Sequence, residues 1–245
     1  LATAAAARVK INCPLHENAN PTTTFLGQYG FGNYIFEVPP MSTYYNTRHD
    51  LADSLGVWVD VNAGIDVENN EMFWIFQSID PETGVAPVDT IGFLPVNDTL
   101  TGCGEGFVTF SVMCENDMIT GDTISEQANI IFDDNDNILT NTYTNMFDAV
   151  PPTSVTVCDT LTVAYDNRII LKSLAQDDNG GSGIRQIDVY VNVDNTQYVL
   201  DGSMYPDTIG SVDTLSYSYR LGDGALYQFL MQAVDNVGNK EQFSE

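Results

Sequence analysis

The stretch that decides the fold runs from residue 57 to residue 79 and reads VWVDVNAGIDVENNEMFWIFQSI. Apolar side chains dominate both sides of its polar middle, in a chain whose prevailing pattern is the two-residue alternation of β-strands. The runs 57–61 and 72–79 are also dense in apolar residues and include Trp58, Phe73 and Trp74. Such density is typical of strands with both faces covered. We therefore expect two central strands here.

The two-residue period continues outward from this stretch. In the segments 9–13 and 34–38, apolar side chains again stand at alternate positions, and further strand-like runs cover 106–113, 123–132 and 139–147. No window of a dozen residues shows the i, i+3, i+4, i+7 apolar pattern of an amphipathic helix. The sequence therefore predicts an all-β chain.

A proline-bearing segment, Asp148 to Ser154, interrupts the strand pattern. Pro151 and Pro152 cannot donate hydrogen bonds to a ladder, so we place a domain boundary there. This predicts one β-sandwich over residues 1–150 and a second, immunoglobulin-like or fibronectin-type sandwich over residues 151–245. The strand-like runs of the second half are 155–165, 168–174, 185–193, 197–200, 214–219 and 226–234.

The charge balance is strongly acidic, with 8 Lys and Arg against 34 Asp and Glu and a net charge of −26. Such a surface repels phosphate backbones and anionic lipid, so we expect neither nucleic-acid binding nor membrane-surface binding. No apolar run approaches the roughly 18 residues needed to cross a bilayer, so we expect no membrane insertion. Aspartate, which favours turns and calcium loops, outnumbers glutamate. The excess acid is therefore either a solubilising coat or, in part, a set of calcium ligands.

The four cysteines lack any C-x-x-C pair, and the two histidines offer no zinc spacing. Cys103 and Cys114 are too far apart to bond if 106–114 is one extended strand. Zero, one or two disulfides remain open. The pairing we favour joins Cys13 to Cys114.

A local signature carries a family resemblance. Residues 122–135, DTISEQANIIFDDN, with Ile138 and the run 140–142, resemble the "QA-I-FD-N-I-TN" signature of a repeated β-domain of very large secreted and cell-surface bacterial proteins. The runs 78–84 and 92–95 fit the same pattern. The resemblance covers most of residues 1–150 and implies a stalk, spacer or adhesive module rather than an enzyme.

The second half is similar to a bacterial immunoglobulin-like or fibronectin-type repeat. The matching segments are Asp177-Asp178 with 181–184, then 189–191, 227–229 and 233–241. The resemblance implies a second spacer domain and names no ligand.

Two acidic clusters are candidate calcium sites. In the second domain, side chains before the third strand and after the penultimate strand should emerge at the same end of a sandwich, where their oxygens could converge on Ca²⁺. The alternative is that they only build Asx turns. These residues are Asp177, Asp178, Asn179, Asp235, Asn236 and Asn239. The second candidate, which is otherwise a tight turn between two strands, comprises Asp133, Asp134, Asn135 and Asp136.

Catalytic machinery is not evident in the sequence. His49 and Asp50 are adjacent and cannot face each other as base and orienting group, and neither a G-x-S-x-G elbow nor a phosphate-binding glycine loop is present. We expect no enzyme activity.

Five aromatic residues in a glycine-rich stretch either stack on sugars or close the core of the first domain. They are Tyr29, Phe31, Tyr34, Tyr44 and Tyr45.

The combined features predict a non-catalytic structural or adhesion segment of a large extracellular bacterial surface protein, stiffened by calcium. Its expected partners are neighbouring domains of the same chain, further copies in an oligomer or fibre formed through edge strands, and a cell-surface glycan or protein. The alternative is a carbohydrate-binding accessory module of a secreted polysaccharide-degrading enzyme.

Overall fold

The structure is a computed structural model that describes residues 4–88, 91–98, 100–158, 167–207, 213–222 and 224–243. Strands take up 55% of the chain and helix 2%, so the all-β prediction is confirmed. Among the described residues, no helix has the length and apolar character needed to span a bilayer. The chain divides into two compact units. The first unit comprises Leu1–Asp117 and Ile124–Asn145, and the second comprises Met118–Thr123 and Met146–Glu245.

This division departs from the predicted boundary at residue 150. Met118–Thr123 and the run 146–150 belong to the second unit. Hydrogen bonds explain the difference, because Asp148 accepts from the backbone N–H of Ser182 through its carboxylate and from the Asn239 amide through its main-chain carbonyl. The segment before the prolines is therefore part of the second unit rather than the end of the first.

The first unit consists of eleven strands and one short helix within the described residues. They are β1 (Arg8–Pro14), β2 (Ala19–Phe31), β3 (Tyr34–Phe36), β4 (Tyr44–Leu51), α1 (Ala52–Leu55), β5 (Val57–Asp66), β6 (Glu71–Ile79), β7 (Gly106–Cys114), β8 (Thr123–Glu126), β9 (Asn129–Phe132), β10 (Ile138–Leu139) and β11 (Tyr143–Met146).

The strands of the first unit form a six-stranded sheet in the order β10-β9-β1-β6-β5-β4, a three-stranded sheet β3-β2-β7 and a β11-β8 pair. Strands β5 and β6 each have a neighbour on both sides, as predicted for central strands. The expectation that both of their faces are covered is wrong. Burial alternates along each strand, so Val59 and Trp74 are buried whereas Trp58 and Phe73 are only half-buried.

The core of the first unit lies against the inner face of the six-stranded sheet. Val57, Val59 and Val61 are completely buried there, and Trp74 is 1% exposed. Burying one such side chain contributes about 1.5–3 kcal/mol to stability. Aromatic rings fill the remaining space, and Phe31 meets Phe93 edge to face with their centroids 4.8 Å apart.

The predicted strand 123–132 is interrupted. Strands β8 and β9 are separated at Gln127 and Ala128, where the N–H of Ala128 donates to Thr140 Oγ1 and the Gln127 amide donates to the Thr140 carbonyl. The two strands then join different sheets. Alternation alone does not show such a break, because the apolar period is not lost across it.

The second unit is built from six strands within the described residues. They are β12 (Thr153–Cys158), β13 (Arg168–Gln176), β14 (Ile184–Val193), β15 (Val199–Met204), β16 (Asp213–Arg220) and β17 (Tyr227–Asp235). They form two sheets, β12-β13-β16 and β15-β14-β17. All six strands predicted for this half are present, although the end of the first prediction, 159–165, lies outside the described residues. Leu171, Ile187 and Val189 are completely buried in its core.

The predicted Cys13–Cys114 disulfide is wrong, because both residues carry free thiols. Cys13 lies in β1 of the six-stranded sheet and Cys114 at the end of β7 in the three-stranded sheet. The sulfur of Cys13 instead contacts the Glu126 carboxylate at 3.6 Å. Burial, together with the charge of Glu126, raises the pKa of the Cys13 thiol to about 12.

Candidate metal site in the second unit

Three aspartates converge in the second unit. Asp177 and Asp178 follow directly on the end of β13, and Asp148 lies two residues beyond β11. One carboxylate oxygen from each lies within 4.8 Å of the other two. The sequence places Asp148 about thirty positions before the other two, so the fold brings the cluster together.

Asp148 is held firmly from three directions. Its side chain is only 7% exposed. One oxygen, Oδ2, accepts from the N–H of Ser182 at 2.7 Å, while Oδ1 accepts from the N–H of Val150 at 3.1 Å and the hydroxyl of Thr120 at 3.4 Å. Burial opposes ionisation, but the hydrogen bonds from Ser182, Val150 and Thr120 together outweigh it, and the net effect lowers the pKa of Asp148. The group is therefore a fixed anion at neutral pH.

At Asp177 burial outweighs the hydrogen bonds, which is the reverse of the situation at Asp148. Its Oδ2 accepts from the N–H of Gly183 at 2.6 Å and its Oδ1 from the N–H of Asp178 at 3.1 Å. Burial nevertheless raises the pKa of Asp177, and the negative charges of Asp148 and Asp235 raise it further. The raised pKa of Asp177 therefore reflects burial first and the neighbouring negative charges second.

Two oxygen atoms at the cluster have no partner within the described structure. Oδ1 of Asp178 and Oγ of Ser182 are both shielded from water and form no hydrogen bond. A buried acceptor without a partner costs about 1–3 kcal/mol, so such atoms need a physical explanation. A cation seated among the carboxylates would supply the missing interaction for both.

The absence of a side chain at Gly181 leaves room for the carboxylates of Asp177 and Asp178. A β-carbon at this position would lie 2.7 Å from Asp177 Oδ2 and 2.7 Å from Asp178 Oδ1, which is closer than such contacts occur. Neighbouring Gly180 and Gly183 adopt positive φ angles of 92° and 85°, a region that side chains disfavour. The glycine-rich loop 180–183 can therefore wrap closely around the two carboxylates.

Three of the other predicted ligands act mainly as braces. Asp235 is completely buried, and its Oδ1 accepts from the backbone N–H groups of Val237, Gly238 and Asn239. The Asn239 amide donates to Asp235 Oδ2 and to the Asp148 carbonyl, and the Asn236 amide donates to two carbonyls of the glycine loop. For these residues the Asx-turn alternative describes the contacts. Asn179 is exposed.

The sequence therefore identified two of the three converging carboxylates and missed Asp148. Its position next to Pro151 and Pro152 suggested a linker. The signal that was available is that Asp148 is an isolated acid in an otherwise apolar run, Met146 to Pro152.

The second predicted cluster forms a turn between β9 and β10. Asp133 adopts a positive φ of 51°, and its Oδ1 accepts from the N–H groups of Ala7 and Arg8 at 2.9 and 2.8 Å. The Asn135 amide donates to the Phe132 carbonyl. Asp133, Asn135 and Asp136 line a cleft of about 480 Å³. Within the described residues their carboxylates do not join a converging group of three.

The glycine-rich aromatic stretch is mostly core. Tyr29 and Phe31 are 0% and 3% exposed, and Tyr34 and Tyr45 pack against the same core. The exception is Tyr44, which is 58% exposed.

Tyr29 places its hydroxyl 2.7 Å from Nε2 of His49, and burial raises the pKa of Tyr29 and lowers that of His49.

Comparison with known proteins gives one family match. Residues 57–146 are similar to a family described as a domain of unknown function, DUF7619. The matched range begins at β5 and ends at β11, so it omits β1 to β4 of the same unit. No curated protein matches the chain.

Proposed function

We propose that this chain is a structural or adhesive segment of a larger extracellular bacterial surface protein and that a calcium ion stiffens its second unit. The observation that carries the proposal is the convergence of Asp148, Asp177 and Asp178, with an unpartnered oxygen on Asp178 and another on Ser182. Three like charges at this distance repel one another unless a cation lies between them.

The chemistry of the cluster favours calcium. Every candidate ligand is a hard oxygen, supplied by carboxylates and a serine hydroxyl on a glycine-rich loop. Calcium accepts six to eight such oxygens in flexible geometry, with water completing the shell. Neither a thiol nor an imidazole belongs to the cluster, so the softer metals fit less well.

An ion at this position would fasten distant segments of the second unit. Asp148 is bonded to Thr120 and Ser182, while Asp177 and Asp178 end strand β13. Binding would therefore hold the run 146–150 against the loop that follows β13. A module in which the run 146–150 is fixed in this way is suited to a spacer that bears mechanical load.

The strand order of the second unit supports the immunoglobulin-like part of the proposal. Its first, second and fifth strands share one sheet, and its third and sixth share the other. The first, second and fifth strands correspond to strands A, B and E of an immunoglobulin-like sandwich, and the third and sixth correspond to strands C and F. The fourth strand, which pairs with the third, corresponds to the added strand beside C. Fold alone does not assign function, so the cation site is the part to test.

The position of the hydroxyl and imidazole pair formed by Tyr29 and His49 supports a non-catalytic role. Tyr29 is completely buried and its pKa is raised by burial, so its hydroxyl stays protonated and out of reach of a substrate. Stacking of His49 on Phe36, with centroids 3.7 Å apart, indicates a packing role for the ring.

Calorimetric titration of calcium into the protein tests the site. The wild type should show one binding event, and Asp178→Asn should lose it, because the variant removes a carboxylate whose Oδ1 has no protein partner. Asp134→Asn is the matched control, because it removes one charge from the turn cluster. Binding that is absent from the wild type, or that is lost in the control and kept in Asp178→Asn, would contradict the proposal.

A further inference from the structure

The six-stranded sheet of the first unit has an outer face whose side chains are half-buried or exposed, apart from buried Gly64. The register aligns them in rows across the strands, and one row joins Arg48, Asp60, Gln77 and Arg8. Another row joins Tyr44, Gly64, Phe73 and Asn12. The alternation that buries Val59 and Trp74 therefore builds a second, polar and aromatic surface, here called the outer platform.

Aromatic rings occupy one end of the outer platform. A β-carbon at Gly64 would lie 3.0 Å from Cδ2 of Tyr44 and 3.3 Å from Cζ of Phe73, so both rings close over this glycine. Tyr44 is 58% exposed. An exposed ring pair of this kind offers a flat apolar surface to the C–H face of a sugar.

The other end of the platform carries a pre-oriented guanidinium. Arg48 binds both oxygens of Asp60, at 2.5 Å from Nε and 2.7 Å from Nη2, and its Cζ lies 5.0 Å from the centroid of the Trp58 ring. Held in this way, the guanidinium keeps N–H donors for a further acceptor.

Three amide side chains belong to the outer platform. Asn62 lies between the two ends, whereas Asn12 and its direct neighbour Asn129 continue the aromatic row. Their Oδ1 atoms are shielded from water and have no hydrogen-bond partner in the described structure. These acceptors therefore lie below the surface that a ligand would touch.

The charges on the platform differ from those of the rest of the unit. Every Lys and Arg of the first unit, namely Arg8, Lys10 and Arg48, projects from this face. Asp60 in the middle and Asp50, Asp66 and Glu71 at the ends oppose them. The chain as a whole carries −26, whereas the charges here nearly cancel. The platform therefore favours a neutral ligand, since the rest of the chain repels polyanions.

We propose that the outer platform binds a neutral polysaccharide chain. The aromatic end provides stacking, and the guanidinium donates to hydroxyl groups. Trp58 and Gly64 are six residues apart on β5, about 20 Å at the rise of a strand, which matches an extended ligand of several sugar units. The proposal gives the adhesive role a ligand class and does not depend on the cation site of the second unit.

Affinity electrophoresis of the whole chain in gels containing xyloglucan, galactomannan or mixed-linkage β-glucan tests the proposal. At least one of these neutral polymers should retard the wild type, and Tyr44→Ala should weaken the retardation about tenfold or more. Tyr143→Ala is the matched control, because Tyr143 is 71% exposed on β11 and lies off the platform. Polygalacturonate and alginate gels serve as the acidic comparison.

Tryptophan fluorescence provides a readout that needs no variant. Trp74 is 1% exposed, so iodide quenching of the native protein reports mainly on half-buried Trp58. The polymer that retards the protein should protect this emission from iodide. Retardation by no neutral polymer, by acidic polymers alone, or equally in Tyr44→Ala, and quenching that the polymer leaves unchanged, would each overturn the proposal.

Discussion

Individual carboxylates in the second unit have different roles, depending on how many hydrogen-bond donors reach their oxygen atoms. Asp235 is completely buried but receives three backbone N–H groups and an amide, so its charge is already compensated. Asp178 has an oxygen with no donor. Both residues are predicted calcium ligands, and only their hydrogen-bond donors distinguish the braced carboxylate of Asp235 from that of Asp178, which has an unpartnered oxygen. A sequence shows the acids but not which N–H groups reach them.

His49 should make the stability of the first unit depend on pH. Burial lowers the pKa of His49, so the folded state resists protonation, whereas the unfolded chain protonates near pH 6.5. The unfolded state therefore binds the proton first as pH falls, and stability should decrease between pH 7.5 and 5.5. Because His49 is partly exposed, we expect a loss below about 1 kcal/mol.

Urea unfolding at the two pH values measures this loss. His49→Gln cannot titrate and keeps an acceptor for the Tyr29 hydroxyl, so its stability should change less than that of the wild type. His16→Gln is the control and should behave as the wild type does. An equal pH response in wild type and His49→Gln would contradict the assignment.

At the scale of elements, apolar alternation was the informative signal. It located β5, β6 and β7 and all six strands of the second unit within a few residues. It failed to show the interruption between β8 and β9, which depends on the hydroxyl of Thr140 a dozen residues away. It also suggested that β5 and β6 are covered on both faces, because half-exposed Trp58 and Phe73 have the same apolar character as core residues.

The one-sided burial of β5 can be tested by matched truncations. Val59 is completely buried and Val67, in the turn after β5, is 74% exposed. Val59→Ala should lower the free energy of unfolding by about 2 kcal/mol, through lost burial and the cavity left behind. Val67→Ala should change it by less than about 0.5 kcal/mol. Chemical denaturation measures both, and equal effects would show that the register is wrong.

At the scale of the whole molecule, two-residue alternation predicted the class of fold, and the proline-bearing segment predicted two domains but not where the second unit begins. The prolines at 151 and 152 predict a junction there, whereas Asp148 and Thr120 already belong to the second unit. Local sequence marks where a strand must stop. It does not show that a carboxylate just before the stop is bonded to Ser182 and Asn239.

The chain as a whole carries a net charge of −26, and charged residues are arranged differently in its two units. In the second unit three carboxylates are drawn together at one point, which is a source of instability unless a cation neutralises them. In the first unit the positive charges gather on the outer platform. Each unit thus departs locally from the uniform acidic surface that composition alone would suggest.

Differential scanning calorimetry in millimolar calcium and in chelator tests the cation site most directly. If calcium reaches about a hundred times its dissociation constant, linkage stabilises the second unit by about 2.7 kcal/mol, which corresponds to a rise of about 10 °C in its melting temperature. Asp178→Asn should show no such rise and, in chelator, should melt no lower than the wild type, because the substitution relieves repulsion. A wild-type melting curve that is the same with calcium and with chelator would contradict the account.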